Sequence, residues 1–342
     1  DKLIALVRQH NLESIVFYRL KDAEHLPEDI YAYLRAHYIS NISRNLRFWN
    51  EFLKIHTAFL ENNLSILPLK GIDTLARFYP YFDLRSMCDI DILIKEEQFP
   101  QVEKILFSLG CQKNLYGLRQ DYWRKQQCHI AFYKDKIVVE AHWGLDFKRG
   151  KRVILPHLWE RVIRVDSGKH KISIFSPEDA VFSFALHWRH FGNVLCLKQV
   201  SDVSRIIKNS PGLDWDYVLK EGRLAKAEAA MYFILMQANL FCETEIPEDV
   251  LNALKIPSLQ KTLIKKFLLK YTFQIKPSLK RLYLKAHFLL YDNILEPIFY
   301  LINIPYEQFC KFHNLKPYTL KSNLVYILRF LYIPISLCLK RN

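Results

Sequence analysis

Residues 85–94 read Arg85-Ser86-Met87-Cys88-Asp89-Ile90-Asp91-Ile92-Leu93-Ile94. From Asp89 onward the run is rich in β-branched residues and bounded by polar ones, which reads as a strand. Alternation along a strand sends residues i and i+2 to one face, so Asp89 and Asp91 project together while Ile90 goes to the core. Cys88, one position away, is expected to face the core as well. Two adjacent carboxylates repel each other and cost folding energy unless a cation neutralises them, and a divalent metal is their natural counter-charge.

The chain on either side supplies context. Glu96 to Leu109 is amphipathic and stops at Gly110, as helices often do. Two strand candidates follow, His129 to Tyr133 and Lys136 to His142, and the polar Lys134-Asp135 between them fits a hairpin. In the second strand Val138, Glu140 and His142 share one face, while Ile137, Val139 and Ala141 share the other. If it neighbours the Asp89–Ile94 strand, Glu140 completes a three-carboxylate cluster. That is enough for two Mg²⁺ (or Mn²⁺) ions that keep waters and take substrate phosphates as remaining ligands. Upstream, the apolar run Ile66 to Leu69 ends at Lys70-Gly71 before a helical stretch. Such a turn places backbone amides and a positive side chain where a triphosphate would lie; the alternative for Lys70 is an ordinary surface lysine.

The whole chain has 342 residues, half of them apolar, enough for about two domains with a real core. Its nine glycines form neither G-x-G-x-x-G nor G-x-x-x-x-G-K, which argues against Rossmann and P-loop phosphate cradles. Seven scattered cysteines without a C-x-x-C pair argue against a zinc ribbon or disulfide scaffold and suit a reducing cytoplasm. No Ser-His-Asp or Cys-His nucleophile set emerges.

Helical periodicity covers residues 1–63, and it returns beyond Pro177 through Ala180–Trp188, Val194–Ile207, Trp215–Phe241 and most of 258–300. The expected organisation is a helical region 1–63, an α+β core 64–165, a helical domain 166–256 and a basic helical region 257–342. His187 and His190 lie three apart on a helix, but apolar flanks and the lack of a third ligand favour helix packing over a metal site. Lys198 and Asp202, spaced i, i+4, read as a surface salt bridge.

The segments Leu67-Pro68-Leu69-Lys70-Gly71, Arg85-Ser86-Met87-Cys88-Asp89-Ile90-Asp91-Ile92-Leu93-Ile94 and Val139-Glu140-Ala141-His142-Trp143, in this order, resemble a family of uncharacterised bacterial nucleotidyltransferases. That family belongs to the DNA polymerase beta-like superfamily, and the resemblance covers roughly residues 20–250, including Ser176-Pro177-Glu178-Asp179, His187, Asp202 and Asp214-Trp215. It implies an α+β fold: a small mixed sheet with helices, embedded in mostly helical N- and C-terminal regions. It also implies transfer of a nucleoside monophosphate from an NTP to a hydroxyl, with release of pyrophosphate. Asp89 and Asp91 match the metal-binding pair and Glu140 the third carboxylate, which activates the acceptor. Lys70 and Gly71 match the turn facing the triphosphate, and Arg85 matches an arginine that pairs with carboxylates or phosphate. His142 shares the face of Glu140, so two readings stand for it: contact with nucleotide or acceptor, or a buried, hydrogen-bonded structural histidine.

One departure stands out. The wider superfamily carries Gly-Ser about ten residues before its D-x-D, whereas Gly71 is followed by Ile72 and lies eighteen residues before Asp89.

The acceptor stays open among a small molecule, a sugar and a protein. Two other functions stay open too: a non-catalytic nucleotide- or partner-binding module on a degenerate version of the fold, and an RNA nucleotidyltransferase. Charge bears on partners. Residues 257–342 carry 14 basic and 3 acidic side chains, so this last quarter holds +11 of the formal +14. A basic surface of this kind suits an anionic membrane surface, an RNA backbone or a solvated helical face, which gives a cytoplasmic protein with a peripheral membrane option. The apolar segment Leu324–Leu339 is too short for the roughly 20 residues of a spanning helix, and Arg329 and Pro334 interrupt it.

Overall fold

The computed structural model describes residues 2–115, 117–146, 156–167, 170–191, 195–275, 279–293 and 295–330. Three helices open it: α1 (Lys2–His10), α2 (Glu13–Leu20) and the 34-residue α3 (Glu28–Glu61). The inward face of α3 recurs at three- and four-residue steps through Asn41, Asn45, Phe48, Phe52, Ile55 and Phe59. It stops where Asn63 turns left-handed (φ 56°) and the amides of Asn63 and Leu64 reach back to the carbonyls of Leu60 and Phe59. That reversal, with Asn in place of the commoner Gly, satisfies the last carbonyls and aims the chain at the first strand.

The α+β core follows as β1 (Leu67–Pro68), α4 (Lys70–Phe78), β2 (Ile90–Leu93), α5 (Phe99–Ser108), β3 (Gln112–Asn114), α6 (Gln120–Gln126), β4 (His129–Lys134) and β5 (Ile137–His142). The sheet order is β1-β2-β5-β4-β3, with β2 parallel to β5 and the other neighbours antiparallel. The expected hairpin forms between β4 and β5 with Asp135 left-handed at its tip (φ 53°). One sheet face carries Ile90, Ile92, Val139 and Ala141 into a core shared with Phe52, Ile55 and Phe59 of α3 and Val102 and Leu106 of α5. The opposite face turns toward the helices that follow, and Leu93 joins their core.

After α7 (Pro156–Glu160), the hairpin β6 (Ile163–Ser167) and β7 (His170–Ile174) tucks Ile172 and Ile174 into the core beside α3. It is not among the expected strands, although Ile163-Arg164-Val165-Asp166 and Lys171-Ile172-Ser173-Ile174 alternate apolar with polar residues. Next come α8 (Pro177–Phe191), α9 (Leu197–Lys208), α10 (Trp215–Leu224), α11 (Glu228–Cys242) and α12 (Glu248–Ala253). The periodic stretch Trp215–Phe241 is two helices, because Lys226 turns left-handed (φ 48°) between them. α11 is buried from Glu228 through Ala238 and forms the axis of the bundle. The basic region continues as α13 (Ser258–Tyr271), α14 (Leu279–Leu289), α15 (Leu295–Ile302), α16 (Tyr306–Phe312) and α17 (Leu320–Ile327). Among the described residues no helix is long and apolar enough to cross a membrane. The C-terminal part of the Leu324–Leu339 segment, from residue 331, lies outside them.

Candidate active site

The parallel pairing of β2 with β5 sets Asp91 opposite Glu140 and Leu93 opposite His142. Because Ile90, Ile92, Val139 and Ala141 face the α3 core, Asp91, Glu140 and His142 share the other face. Their donor atoms converge within 4.8 Å of one another. His142 Nε2 lies 3.0 Å from Asp91 Oδ1 and 3.3 Å from Glu140 Oε2. Asp91 and His142 are buried, while the Glu140 side chain is 22% exposed and forms the open side of the cluster. Asp89 lies one residue before β2 and is partly exposed. Cys88, expected in the core, is exposed instead, because the strand begins only at Ile90 and its alternation does not extend back that far.

Lys70 enters from the β1–α4 turn. The Leu69 amide donates to the Asp91 carbonyl at 2.9 Å, which docks the turn against β2. Lys70 then adopts a left-handed conformation (φ 44°) that aims Nζ at Asp91 Oδ2, 3.0 Å away. A non-glycine residue held there costs about 1–2 kcal/mol, and such strain concentrates at functional sites. Lys70 is therefore no surface lysine. Gly71 beside it is needed for close approach, since a Cβ there would meet Arg85 Nη1 at 3.0 Å and Met87 Cγ at 3.4 Å.

The electrostatics follow from this crowding. Burial pushes the Asp89 carboxyl up, helped by the Asp91 charge, to about 6. Burial also disfavours the Asp91 anion, but Lys70 and His142 overcome it and hold Asp91 well below the carboxylate range. In return the carboxylates outweigh desolvation at Lys70 and keep it charged. Desolvation likewise opposes the His142 cation, and its hydrogen bonds to Asp91, Cys128 and Glu140 raise it well above an ordinary imidazole. Three carboxylates thus face two internal cations. The converging donors are the carboxylates of Asp91 and Glu140 with the imidazole of His142, and the two hard carboxylates fit a divalent ion of the Mg²⁺ or Mn²⁺ type.

Arg85 sits elsewhere. Its guanidinium is buried and bound by Asp202 of α9, with Nε 2.8 Å from Oδ1 and Nη2 2.8 Å from Oδ2. Tyr79 donates its hydroxyl to the same Asp202 at 2.8 Å. Of the residues singled out in the sequence, Asp91, Glu140 and His142 bring donor atoms together, Lys70 and Gly71 form the turn that reaches Asp91, Asp89 joins them through its charge and not within that donor group, and Arg85 binds Asp202 instead. The Lys198–Asp202 surface pair does not form, because Asp202 is fully buried against Arg85 and Lys198 Nζ donates to the Ser86 carbonyl at 3.1 Å.

Two histidines join the site without a sequence signal strong enough to select them. His187 of α8 brings Nδ1 to 3.4 Å from Lys70 Nζ, and burial followed by the Lys70 charge keeps it neutral. His129, paired in register with His142, places Nε2 4.0 Å from Glu140 Oε2. The spacing of His187 and His190 marked a helix face but not what that face meets.

The model of the uncharacterised nucleotidyltransferase family matches residues 1–243. The chain belongs to this family. No curated protein matches it. Among solved structures, the chain is similar to the crystal structure of ANT(2")-Ia in complex with adenylyl-2"-tobramycin, at 14% identity, covering 50% of this chain and 92% of that one with a TM-score of 0.36. A solution structure of the antibiotic-resistance factor ANT(2'')-Ia gives 15% identity, 50% and 86% coverage and a TM-score of 0.36. The nucleotidyltransferase family match holds the sheet, the carboxylates and the helices through α11, while the basic region from residue 257 lies beyond it.

Proposed function

We propose that this nucleotidyltransferase moves a nucleoside monophosphate from an NTP to a hydroxyl of a separate acceptor, with release of pyrophosphate and dependence on Mg²⁺ or Mn²⁺. The observation that carries the reading is the register of β2 with β5, which sets Asp91 opposite Glu140 beside a largely buried lysine. Asp89, Asp91 and Glu140 would hold the cations, whose chemistry is to lower the acceptor hydroxyl pKa and neutralise the leaving pyrophosphate.

The chain's own groups do the rest. Lys70 Nζ supplies a fixed positive charge from a strained turn, suited to a phosphate oxygen entering beside Asp91. Glu140, whose side chain is partly exposed, receives the acceptor's proton at Oε2 or passes it to water. His142 orients Asp91 and Glu140 by bonding both. Arg85 acts through structure, holding α9 against the strand entry and backing Gly71.

Incubation with labelled ATP, CTP, GTP or UTP and Mg²⁺ or Mn²⁺, with and without cell extract, tests the reading. A labelled product that disappears in Asp91→Asn supports it. Saturable nucleotide binding without pyrophosphate release supports the non-catalytic module instead.

For the basic region the lipid-surface reading is favoured over RNA by α17. It exposes Leu320, Leu324, Ile327 and Leu328 along one stripe at helical spacing, beside the exposed Lys321. Co-sedimentation with phosphatidylserine-containing vesicles, but not with neutral vesicles, is the expected result. Salt-dependent RNA binding without vesicle binding would reverse the preference.

A further inference from the structure

Across His142 from the carboxylates lies a second group of donors that nucleotidyl transfer does not use. β4 starts at His129, and the preceding residue, Cys128, is pinned to the end of β5 by the Trp143 amide, which donates to the Cys128 carbonyl at 2.8 Å. The His129 and His142 rings stack with centroids 4.8 Å apart and planes 26° from parallel. Cys128 Sγ lies 3.8 Å from His129 Nδ1 and also hydrogen-bonds His142. The sulfur and one nitrogen of each histidine fall within 4.8 Å of one another. Space for the thiol depends on Gly144, where a Cβ would lie 3.3 Å from the Cys128 Cβ.

One thiolate and two imidazoles select a different cation from three carboxylates. Sulfur and nitrogen donors suit Zn²⁺ and its relatives, whereas Mg²⁺ keeps to oxygen. Around a tetrahedral Zn²⁺, with bonds of about 2.3 Å to sulfur and 2.0–2.1 Å to nitrogen, the S···N edge is about 3.6 Å. The observed 3.8 Å between Cys128 and His129 needs only a small adjustment. Three protein donors leave the fourth position for water.

We propose that Cys128, His129 and His142 form a binding site for a zinc-class cation, separate from the hard-cation site of the three carboxylates and joined to it through the shared His142. A cation seated there draws on the imidazole that bonds Asp91 and Glu140. Occupancy of the two sites is therefore linked.

The test uses the full chain, reduced and stripped of metal, titrated with Co²⁺ as a spectroscopic stand-in for Zn²⁺. A thiolate-to-cobalt absorption that saturates at one equivalent, is discharged by Zn²⁺ and disappears in Cys128→Ser is the expected result. His129→Gln should weaken Co²⁺ binding at least tenfold, and Asp89→Asn should leave the absorption in place. No thiolate absorption in the wild type, or full absorption in Cys128→Ser, overturns the site. X-ray absorption of the zinc-loaded wild type decides the matter without variants, since a shell of one sulfur and at least two nitrogens supports the site and a shell without sulfur removes it. A protein that gives the cobalt spectrum but never turns over nucleotide overturns nucleotidyl transfer and leaves this site standing.

Discussion

Arg85 and Asp202 meet as a closed pair: the guanidinium gives three hydrogen bonds of 2.8–3.0 Å to one carboxylate, and Tyr79 caps that carboxylate with a fourth at 2.8 Å. Six residues along the chain, Asp91 also sits buried between two cations, yet its neighbourhood does not close. Asp89 and Glu140 add negative charge that Lys70 and His142 do not cancel, and burial, helped by the Asp91 charge, drives the Asp89 carboxyl up to about 6. Both clusters bury charge. The first is complete within the chain, whereas the second becomes complete only when something positive is added. Completeness of pairing, more than burial, separates a charge that holds the fold from one that waits for a ligand.

The largest expected effect tests the open cluster. Asp89→Asn or Asp91→Asn should cut Mg²⁺-dependent nucleotide turnover by at least about 10³-fold, equivalent to roughly 4 kcal/mol of transition-state stabilisation. Asp89→Asn should do so while raising the melting temperature, because it removes a buried charge that Asp91 repels. Initial rates and a thermal melt on the same preparation check both halves. Wild-type turnover in Asp89→Asn would break the comparison.

The closed cluster predicts the reverse pattern. Arg85→Met leaves Asp202 buried without its partner, and breaking a buried pair in this way costs about 3–5 kcal/mol of stability. Asp202→Leu should cost a similar amount, with the double variant recovering much of the loss. Urea unfolding of the three proteins measures the coupling. If Arg85→Met unfolds like the wild type and only turnover suffers, Arg85 belongs with the substrate after all.

A third kind of buried titratable group sharpens the contrast, one that burial keeps neutral. Burial lowers His287 of α14 to about 4. Its folded pKa lies below the unfolded value of about 6.5, so between those values the unfolded chain binds more protons and stability rises with pH. The contribution is fully present above pH 6.5 and is lost as pH falls toward 4; at about 1.36 kcal/mol per unit it is at most about 3 kcal/mol. His287→Leu should flatten that part of the stability curve relative to wild type. An unchanged slope would show that His287 is protonated without penalty.

The two clusters also differ in how far they could be seen beforehand. Asp89, Asp91, Glu140 and the Lys70-Gly71 turn are legible because each sits in a short stretch whose period or turn chemistry fixes where it points. The Asp202 partner of Arg85 lies 117 residues away, and local spacing offered Lys198 instead. Long-range burial overrode that i, i+4 pair, since the helix face carrying Asp202 turns inward. The short β3, reading Gln112-Lys113-Asn114, has no apolar alternation to reveal it. The break at Lys226 uses a left-handed lysine where sequence would signal with glycine. His129 and His187 were hidden for the same reason as Asp202: their roles depend on what they face across the fold.

The smallest effect concerns Gly71, which touches both clusters. Its neighbour Lys70 reaches Asp91, and its own missing side chain is where Arg85 Nη1 passes. Gly71→Ala gains a few tenths of a kcal/mol, up to about 1, from the less flexible unfolded chain. Against that, the added Cβ would stand 3.0 Å from Nη1. Arg85 cannot simply swing away, because Asp202 holds it at Nε and Nη2. The net expectation is a loss of about 1 kcal/mol in urea unfolding, with turnover reduced more than that loss implies because the α4 turn must shift and carry Lys70 with it. Gly71→Ala in an Arg85→Met background separates the two contributions. There the steric penalty should vanish and only the entropic gain remain, so a second loss of the same size would mean that Gly71 answers to Met87, which a Cβ would meet at 3.4 Å, and not to the closed pair.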